Sequence, residues 1–294
     1  MTRWTCLLAV SLLAPAACDN GESEGAAATS STGAGASTSA STSTNASSGS
    51  TTSTGGSAVD PCIDRLVCDD FEAHTAGRPP IAPWTVLEND TGSVAVDDAR
   101  AHSGALSVKV TTDGTNGFTR ALMAIAGAPT FPLPDNVMYG RMMFYMEQAA
   151  NDGVHWTHIE GRGPLSGQSN VTAMYRYGGQ HMGRLMANYE TSGLSTDCWQ
   201  HSQTAMPTGA WACMEWRFDG PNDRMQFWLD GIELTDLDVM GMGMGCIGND
   251  LAGAWPAPTF DEIRLGWESY QPDAPREAWI DDVIIDDQPI GCPR

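Results

Sequence analysis

The sequence predicts an all-β protein, a two-sheet antiparallel β-sandwich of jelly-roll type that follows a disordered linker. From residue 60 onward, segments of strand length are rich in aromatic and β-branched residues, and Gly, Pro, Asn and Asp separate them. The same region has no convincing amphipathic helix and no alternation of strands with helices. Its length of about 235 residues is enough for one domain with a substantial core.

Residues 1–18 are typical of an export signal. Arg3 precedes a short apolar run that ends at Leu13, and this run is too short for a membrane span of about 20 residues. Small residues precede Cys18, as in bacterial signals whose cysteine is lipidated, although Pro15 stands where such signals usually have Leu. We therefore expect a lipoprotein anchored at the cell envelope, or a secreted protein if Cys18 is not lipidated.

Residues 19–59 form a low-complexity tether. From Ala26 to Ala58 every residue except Asn45 is Ala, Ser, Thr or Gly. Such a segment buries too little apolar surface to offset the entropy of ordering, so it is predicted to be disordered. The predicted organisation is a signal over 1–18, a tether over 19–59 and a sandwich domain over 60–294.

The charge balance limits the partners. The chain has 36 acidic and 15 basic residues, a net charge of −21. Phosphate binding needs a basic surface, so the sequence argues against nucleic acid and predicts membrane contact through the lipid anchor only. We expect a monomer whose partner is a polysaccharide.

Six cysteines in the domain predict three disulfides, because the chain is expected to be exported and the number is even. Zinc ligation is disfavoured, because there is no CxxC pair. The preferred pairings are Cys62–Cys68, Cys198–Cys213 and Cys246–Cys292.

Acidic residues are concentrated near both ends of the domain and suggest a cation. First and last strands often pair in a sandwich, so Glu72 is expected to approach Asp281 and Asp282. Carboxylates brought together repel one another unless a cation lies between them, and calcium binds six to eight oxygen atoms. Ser103, in the turn over 99–108, adds an oxygen. The sequence predicts a structural Ca²⁺ here; the alternative is a solvated acidic edge that discourages aggregation.

Strand alternation also places one tryptophan outward. In the segment MQFWLDG, Met225 and Phe227 oppose Gln226 and Trp228. An outward tryptophan can stack on a pyranose ring or cover a sheet edge.

Four segments carry a family resemblance: CDDFE, ARAHSGALSVKV, WACMEWRFDG…FWLDGIEL and WIDDVIID…IGC. They resemble bacterial jelly-roll proteins related to the fungal cellulose-induced protein and to glucuronan- and alginate-type polysaccharide lyases, which are concanavalin A-like sandwiches. The resemblance implies a concave sheet that holds a glycan. It also implies a calcium ion bound by Glu72 and Asp282, with Asp281 as the alternative ligand. Members differ in activity, and some cleave polyuronates.

A uronate lyase needs a cation or strong donor beside the sugar carboxylate, a base and an acid. Arginine suits the first task because its planar fork binds a carboxylate with two hydrogen bonds. If HWTHIE is a regular strand, His158 faces the sugar and His155 faces inward. The predicted catalytic residues are His158, Tyr189, Arg176 and Arg141. The predicted substrate-binding residues are Trp156, Glu160, Tyr175, Tyr177 and Asn188.

Three functions remain open from the sequence. The first is cleavage of a polyuronate by β-elimination, and the second is glycan binding without catalysis. The third is a structural role in the envelope. A zinc site in HWTHIE is disfavoured, because residues i and i+3 of a strand point to opposite faces.

Overall fold

The computed structural model describes residues 62–89 and 91–293, in which seventeen β-strands pair into two antiparallel sheets. The strands are β1 Val67–Asp69, β2 Thr85–Asn89, β3 Ser93–Asp97, β4 Ser107–Thr112, β5 Thr119–Ala126, β6 Val137–Met146, β7 Trp156–Leu165, β8 Gln168–Gln180, β9 Arg184–Ser192, β10 Thr196–Ala205, β11 Ala212–Asp219, β12 Arg224–Leu229, β13 Ile232–Glu233, β14 Val239–Met240, β15 Gly245–Asn249, β16 Glu262–Ser269 and β17 Arg276–Asp286. Four short 3₁₀ turns cover Gly114–Asn116, Pro134–Asn136, Gly220–Asn222 and Thr235–Leu237. The predicted signal, Cys18 and the tether over 19–59 lie outside the described residues.

One sheet has nine strands and the other has eight. The nine-stranded sheet runs β13-β12-β11-β6-β17-β4-β3, with β1 beside β17 and β14 beside β12. The eight-stranded sheet runs β15-β10-β9-β8-β7-β16-β5-β2. The predicted two-sheet antiparallel sandwich is confirmed. Within the described residues, no helix is long and apolar enough to span a membrane.

The core between the sheets is built from the inward residues of alternating strands. In β8, Tyr175 and Tyr177 belong to the core and Arg176 lies between them on the outer face. Tyr177 stacks on Phe218 of the other sheet, with ring centroids 5.7 Å apart. Aromatic side chains bury about 150–250 Å² each, so such pairs contribute much of the apolar burial.

A β-bulge interrupts strand β7 and corrects the predicted faces of HWTHIE. The register against β8 shifts between Thr157 and Ile159, so His158 has no opposing residue of its own. His158 and Ile159 both turn inward, and the alternation predicted for a regular strand is wrong. Gly178 of β8 allows the two strands to lie close together at the bulge, because a Cβ there would lie 1.8 Å from the carbonyl oxygen of Trp156.

Three disulfides form, but only one has the predicted partners. Cys62–Cys68 is confirmed. The other two are Cys198–Cys246 and Cys213–Cys292. The predicted pairs Cys198–Cys213 and Cys246–Cys292 are wrong, because Cys198 and Cys213 lie in different sheets whereas Cys246 lies directly opposite Cys198 in register.

Candidate functional site

A row of polar and aromatic side chains crosses the outer face of the eight-stranded sheet. Strand register aligns one residue from each of five neighbouring strands, β10, β9, β8, β7 and β16. In that order they are Trp199, Asn188, Arg176, Glu160 and Arg264. Paired strands hold such residues side by side, so the row forms one continuous surface.

Arg176 is the centre of a charged network in this row. Its guanidinium donates to the carboxylates of Glu160 and Glu190. Burial lowers the pKa of Arg176, but these carboxylates, with Glu160 foremost, outweigh it and raise the pKa well above its ordinary value. Arg162 and Arg264 also reach Glu160, at 3.1 and 3.3 Å. The network is therefore charged but largely self-neutralising.

A cleft of about 470 Å³ opens beside this network, and three histidines line it. The rings of His181 and His201 lie 5.8 Å apart, and His155 lies close enough to Arg176 to be affected by its charge. The lining residues are His155, Gln180, His181, Met186, Asn188, Asp197, Trp199, His201, Ile247 and Gln271. A volume of this size suits a segment of an oligosaccharide, because ligand sites are commonly about 300–1,000 Å³.

His155, one of the residues that line the cleft, is a neutral imidazole. Burial, then the charge of Arg176 and then His201 lower its pKa to about 4. Its Nε2 atom is buried and has no hydrogen-bond partner among the described residues. The ring lies against Tyr270, with centroids 4.7 Å apart. A neutral imidazole that lines a cleft can accept a proton from a bound ligand.

Tyr270, whose ring packs against His155, carries a protonated hydroxyl. The hydroxyl donates to Glu268 Oε1 at 2.6 Å and lies 3.1 Å from the hydroxyl of Thr157. Burial raises the pKa of Tyr270 well above its ordinary value. The phenol therefore carries its proton at neutral pH and can act as a donor.

Asn188 is held rigidly at the other wall of the cleft. Its Nδ2 donates to Asp197 Oδ1 and to the carbonyl of Cys198, both at 2.8 Å. Its Oδ1 atom is buried and has no partner among the described residues. A buried acceptor without a partner costs free energy, and the two hydrogen bonds that Nδ2 donates hold this amide in place.

Several predicted site residues face the core instead. These residues are Trp156, His158, Tyr175, Tyr177 and Tyr189. The His158 ring is fully buried, with the rings of Phe144 and Phe227 at 5.7 and 6.4 Å, and burial lowers its pKa to about 3. Its predicted position on the sugar-facing surface is wrong, because the bulge in β7 rotates it inward.

The predicted tyrosines lie inward for a simpler reason. They alternate with the outward residues Arg176 and Asn188. Tyr189 stacks on Trp255 at 5.9 Å, and burial raises the pKa of its hydroxyl. The hydroxyl of Tyr175 donates to the carbonyl of Trp255 at 2.7 Å. Their predicted placement on the sugar-facing surface is therefore wrong.

Arg141 belongs to a different part of the molecule. It lies on β6 of the nine-stranded sheet, opposite Glu215, and its Nη1 donates to the carbonyl of Gly291 at 3.1 Å. Its predicted position beside the other site residues is wrong, because β6 and β8 are in different sheets.

The outer face combines predicted and unforeseen residues. Glu160, Arg176 and Asn188 are brought together as predicted. The residues missed are His155, His181, Trp199, His201 and Tyr270. A signal for two of them was present in TDCWQHSQ: because a disulfide cysteine at 198 points inward, Trp199 and His201 must point outward.

The predicted calcium residues converge on one turn. Glu72 Oε1 accepts from the backbone N–H groups of residues 105 and 106 at 2.8 and 2.7 Å. Asp281 Oδ2 accepts from the His102 N–H at 2.7 Å, and the Ser103 hydroxyl donates to Asp282 at 2.7 Å. Burial and the nearby Asp282 raise the pKa of Asp281 to about 6. Across residues 62–89 and 91–293, no three His, Cys, Asp or Glu side chains have the spacing of a metal site.

Comparison with known proteins agrees with this fold. A family model described as polysaccharide-lyase-like, Cip1-like core domain, matches residues 70–288. The structure of the cellulose-induced protein Cip1 is 25% identical over 77% of this chain and 100% of that chain, with a TM-score of 0.57. The endo-β-1,4-glucuronan lyase of the fungus Trichoderma reesei is 12% identical over 73% of this chain and 96% of that chain, with a TM-score of 0.48. No curated protein matches the chain.

Proposed function

Because this chain belongs to the Cip1-like core-domain family of polysaccharide-lyase-like proteins, we propose that it binds a polyuronate across the outer face of the eight-stranded sheet and cleaves it by β-elimination. Membership in this family supports a polysaccharide-active protein. The observation that carries the catalytic proposal is the neutral His155 beside Tyr270, at the edge of a cleft next to Arg176.

The proposed reaction removes one proton and delivers another. The imidazole of His155, which lines the cleft, accepts the proton from the carbon that bears the sugar carboxylate. The electron pair of that C–H bond forms a carbon–carbon double bond, and the glycosidic C–O bond on the neighbouring carbon breaks. Tyr270 donates its proton to the departing oxygen. The products are an unsaturated uronate end and a new hydroxyl end.

Arg176 is proposed to bind the sugar carboxylate. Its partner Glu160 is deeply buried, but the side chain of Glu190 is 38% exposed. A substrate carboxylate can therefore replace Glu190 and keep the guanidinium paired. A positive group at that point stabilises the enolate that develops when the proton leaves.

One observation favours the alternative, a glycan-binding protein without catalysis. Arg176 is already paired with Glu160 and Glu190, so no unpaired cation faces the cleft at this position. A neutral glycan needs no such cation and would stack on Trp199.

A panel of glycans separates the two functions. The full chain is incubated with glucuronan, alginate and pectate, and ultraviolet absorbance reports unsaturated uronate ends. Absorbance that grows with one polyuronate supports the lyase. Retention on a glycan with no absorbance from any polyuronate would establish the binding protein instead.

We propose further that the protein is exported and anchored at the cell surface through Cys18. The support is the signal-like segment over 1–18 and the following tether of small residues. The Cys18→Ser variant is expected to move from the membrane fraction to the soluble exported fraction. A wild-type protein that is already soluble would contradict the anchor.

Calcium is proposed as a structural ion at the acidic turn of Glu72, Ser103, Asp281 and Asp282. The support is the convergence of these oxygen atoms on one turn, where the carboxylates of Asp281 and Asp282 are adjacent and concentrate negative charge. A bound calcium would neutralise that charge. The free energy of unfolding should then rise by about 2.7 kcal/mol at calcium a hundredfold above its Kd. Thermal unfolding with calcium, magnesium or chelator measures this, and identical midpoints would contradict it.

A further inference from the structure

The opposite sheet carries a larger groove that the proposed lyase function does not use. It has a volume of about 740 Å³ and lies on the outer face of the nine-stranded sheet. Its floor is made of two cross-strand rows. Tyr139, Arg217 and Gln226 form one row, and Glu215 and Trp228 belong to the other.

The C-terminal segment turns this flat sheet into a groove. Residues 289–293 form one wall, and the disulfide between Cys213 of β11 and Cys292 holds that wall against the sheet. The Gly291 N–H donates to Glu215 at 2.9 Å, and its carbonyl accepts from Arg141 at 3.1 Å. A wall fixed by a disulfide and two hydrogen bonds makes the groove largely preformed, which lowers the entropy cost of binding.

Two aromatic side chains are partly exposed on the floor. Trp228 alternates with the buried Phe227, as its position in the sequence predicts. Tyr139 lies on the neighbouring row, with the guanidinium of Arg217 5.4 Å from its ring centroid. Aromatic faces pack well against the C–H faces of pyranose rings, while polar groups around them bond to sugar hydroxyls.

The charges of the groove select against an anionic chain. Arg217 is paired with Asp219 at 2.6 Å, and Arg224 is paired with Asp238 at 2.6 Å. Gln226 donates to Glu233 at 2.8 Å. Both arginines are thus committed to carboxylates outside the lining. Two further acids of the lining, Glu215 and Asp230, then leave an excess of negative charge that Arg141 offsets only in part. This field repels a polyuronate and leaves an uncharged polysaccharide unaffected.

We propose that this groove is a second glycan-binding site, specific for a neutral polysaccharide chain that stacks on Trp228. It is separate from the proposed elimination site, which lies on the other sheet. The nine-stranded sheet would then bind an uncharged polymer while the eight-stranded sheet binds the polyuronate of the proposed function. Such a second site increases the effective concentration of the protein at a mixed polysaccharide surface.

The test uses electrophoresis of the full chain through gels that contain hydroxyethylcellulose, galactomannan or arabinoxylan. Wild type should be retarded by at least one of these neutral polymers. Trp228→Ala should weaken that binding about tenfold or more, whereas Trp228→Tyr should keep most of it. The matched control Trp199→Ala, which alters the cleft on the other sheet, should retain neutral-polymer binding.

Three outcomes would overturn the second site: no retardation by any neutral polymer, unchanged retardation of Trp228→Ala, or equal loss in Trp199→Ala. An unchanged urea-unfolding midpoint for Trp228→Ala shows that the variant is folded. The result is independent of the proposed lyase, because retardation is measured without turnover. Where the wild type releases unsaturated uronate, Trp228→Ala should release it at the same rate.

Discussion

The two faces of the eight-stranded sheet carry the same types of residue in opposite environments. His155 and His158 both have pKa values lowered by burial, to about 4 and about 3. His155 lines a cleft, whereas His158 lies between phenylalanine rings in the core. A histidine with a shifted pKa therefore indicates chemistry only where its ring borders a site that a ligand can enter.

One extra residue in β7 separates these two environments. Side chains of a regular strand alternate between its two faces. A single extra residue shifts this alternation by one, so every residue after the bulge faces the opposite way from what the residues before it predict. As a result Trp156 and His158 face the core, and Glu160 still reaches Arg176 on the outer face.

Substituting the two histidines one at a time should give the largest difference in rate between the two faces. His155→Ala should lower kcat/KM for the cleaved polyuronate by about 10²–10⁴, the usual contribution of a general base. His158→Leu should leave the rate unchanged, because it replaces a ring with two unpartnered nitrogens by an apolar side chain inside the core. Release of unsaturated uronate measures both. A loss of rate in His158→Leu at unchanged stability would reverse the assignment of the two faces.

The two tryptophans on the opposite faces should differ in stability. Trp156 is fully buried and stacks on Trp267 with ring centroids 5.6 Å apart. Trp156→Ala should therefore lower the free energy of unfolding by about 3–5 kcal/mol. Trp199 is only partly buried, so Trp199→Ala should cost less than about 1 kcal/mol. Urea unfolding monitors both variants, and equal losses would show that Trp199 also supports the core.

The sequence supports prediction of the fold more than of the site. Alternation along MQFWLDG places Trp228 outward and Phe227 inward, as the structure confirms. Alternation along MYRYG and MANYE would likewise place Arg176 and Asn188 on the outer face, where the structure has them. His158 could not be placed, because a bulge depends on how closely Gly178 approaches the carbonyl of Trp156, and this is a tertiary contact.

The sequence gives little indication of the cleft, because strand β10 has the composition of a loop. The segment TDCWQHSQTA is rich in polar residues and does not look like a strand, yet it pairs with both β9 and β15. Cys198, which is bonded to Cys246, is fully buried and points inward. Polar outward residues on a half-buried strand lower its apparent β-propensity, since propensity reflects packing more than backbone preference.

Two tyrosine variants, one at each face, distinguish a loss of acid catalysis from a loss of packing. Tyr270→Phe removes the proposed proton donor and should lower kcat about 10²-fold, with KM nearly unchanged, because the donor acts in the transition state. Tyr189→Phe removes a buried hydroxyl that has no partner among the described residues, so rate and stability should both be retained. Steady-state kinetics with the cleaved polyuronate measures the split. An equal loss in both variants would show that the tyrosine effect is structural.

The last effect is a pH dependence of stability that belongs to the inward histidine. In the folded protein His158 stays neutral down to about pH 3, whereas in the unfolded chain it binds a proton below about pH 6.5. The unfolded state thus binds more protons between these values, and stability is lost as pH falls, by about 1.4 kcal/mol per pH unit. His158→Leu removes this contribution, so its advantage over wild type in urea unfolding should grow by that amount per unit from pH 6 to pH 4. His155 acts in the same direction and Asp281, with its raised pKa, in the opposite one, but both are present in the two proteins and cancel. Parallel stability curves would mean that His158 is not kept neutral by the core.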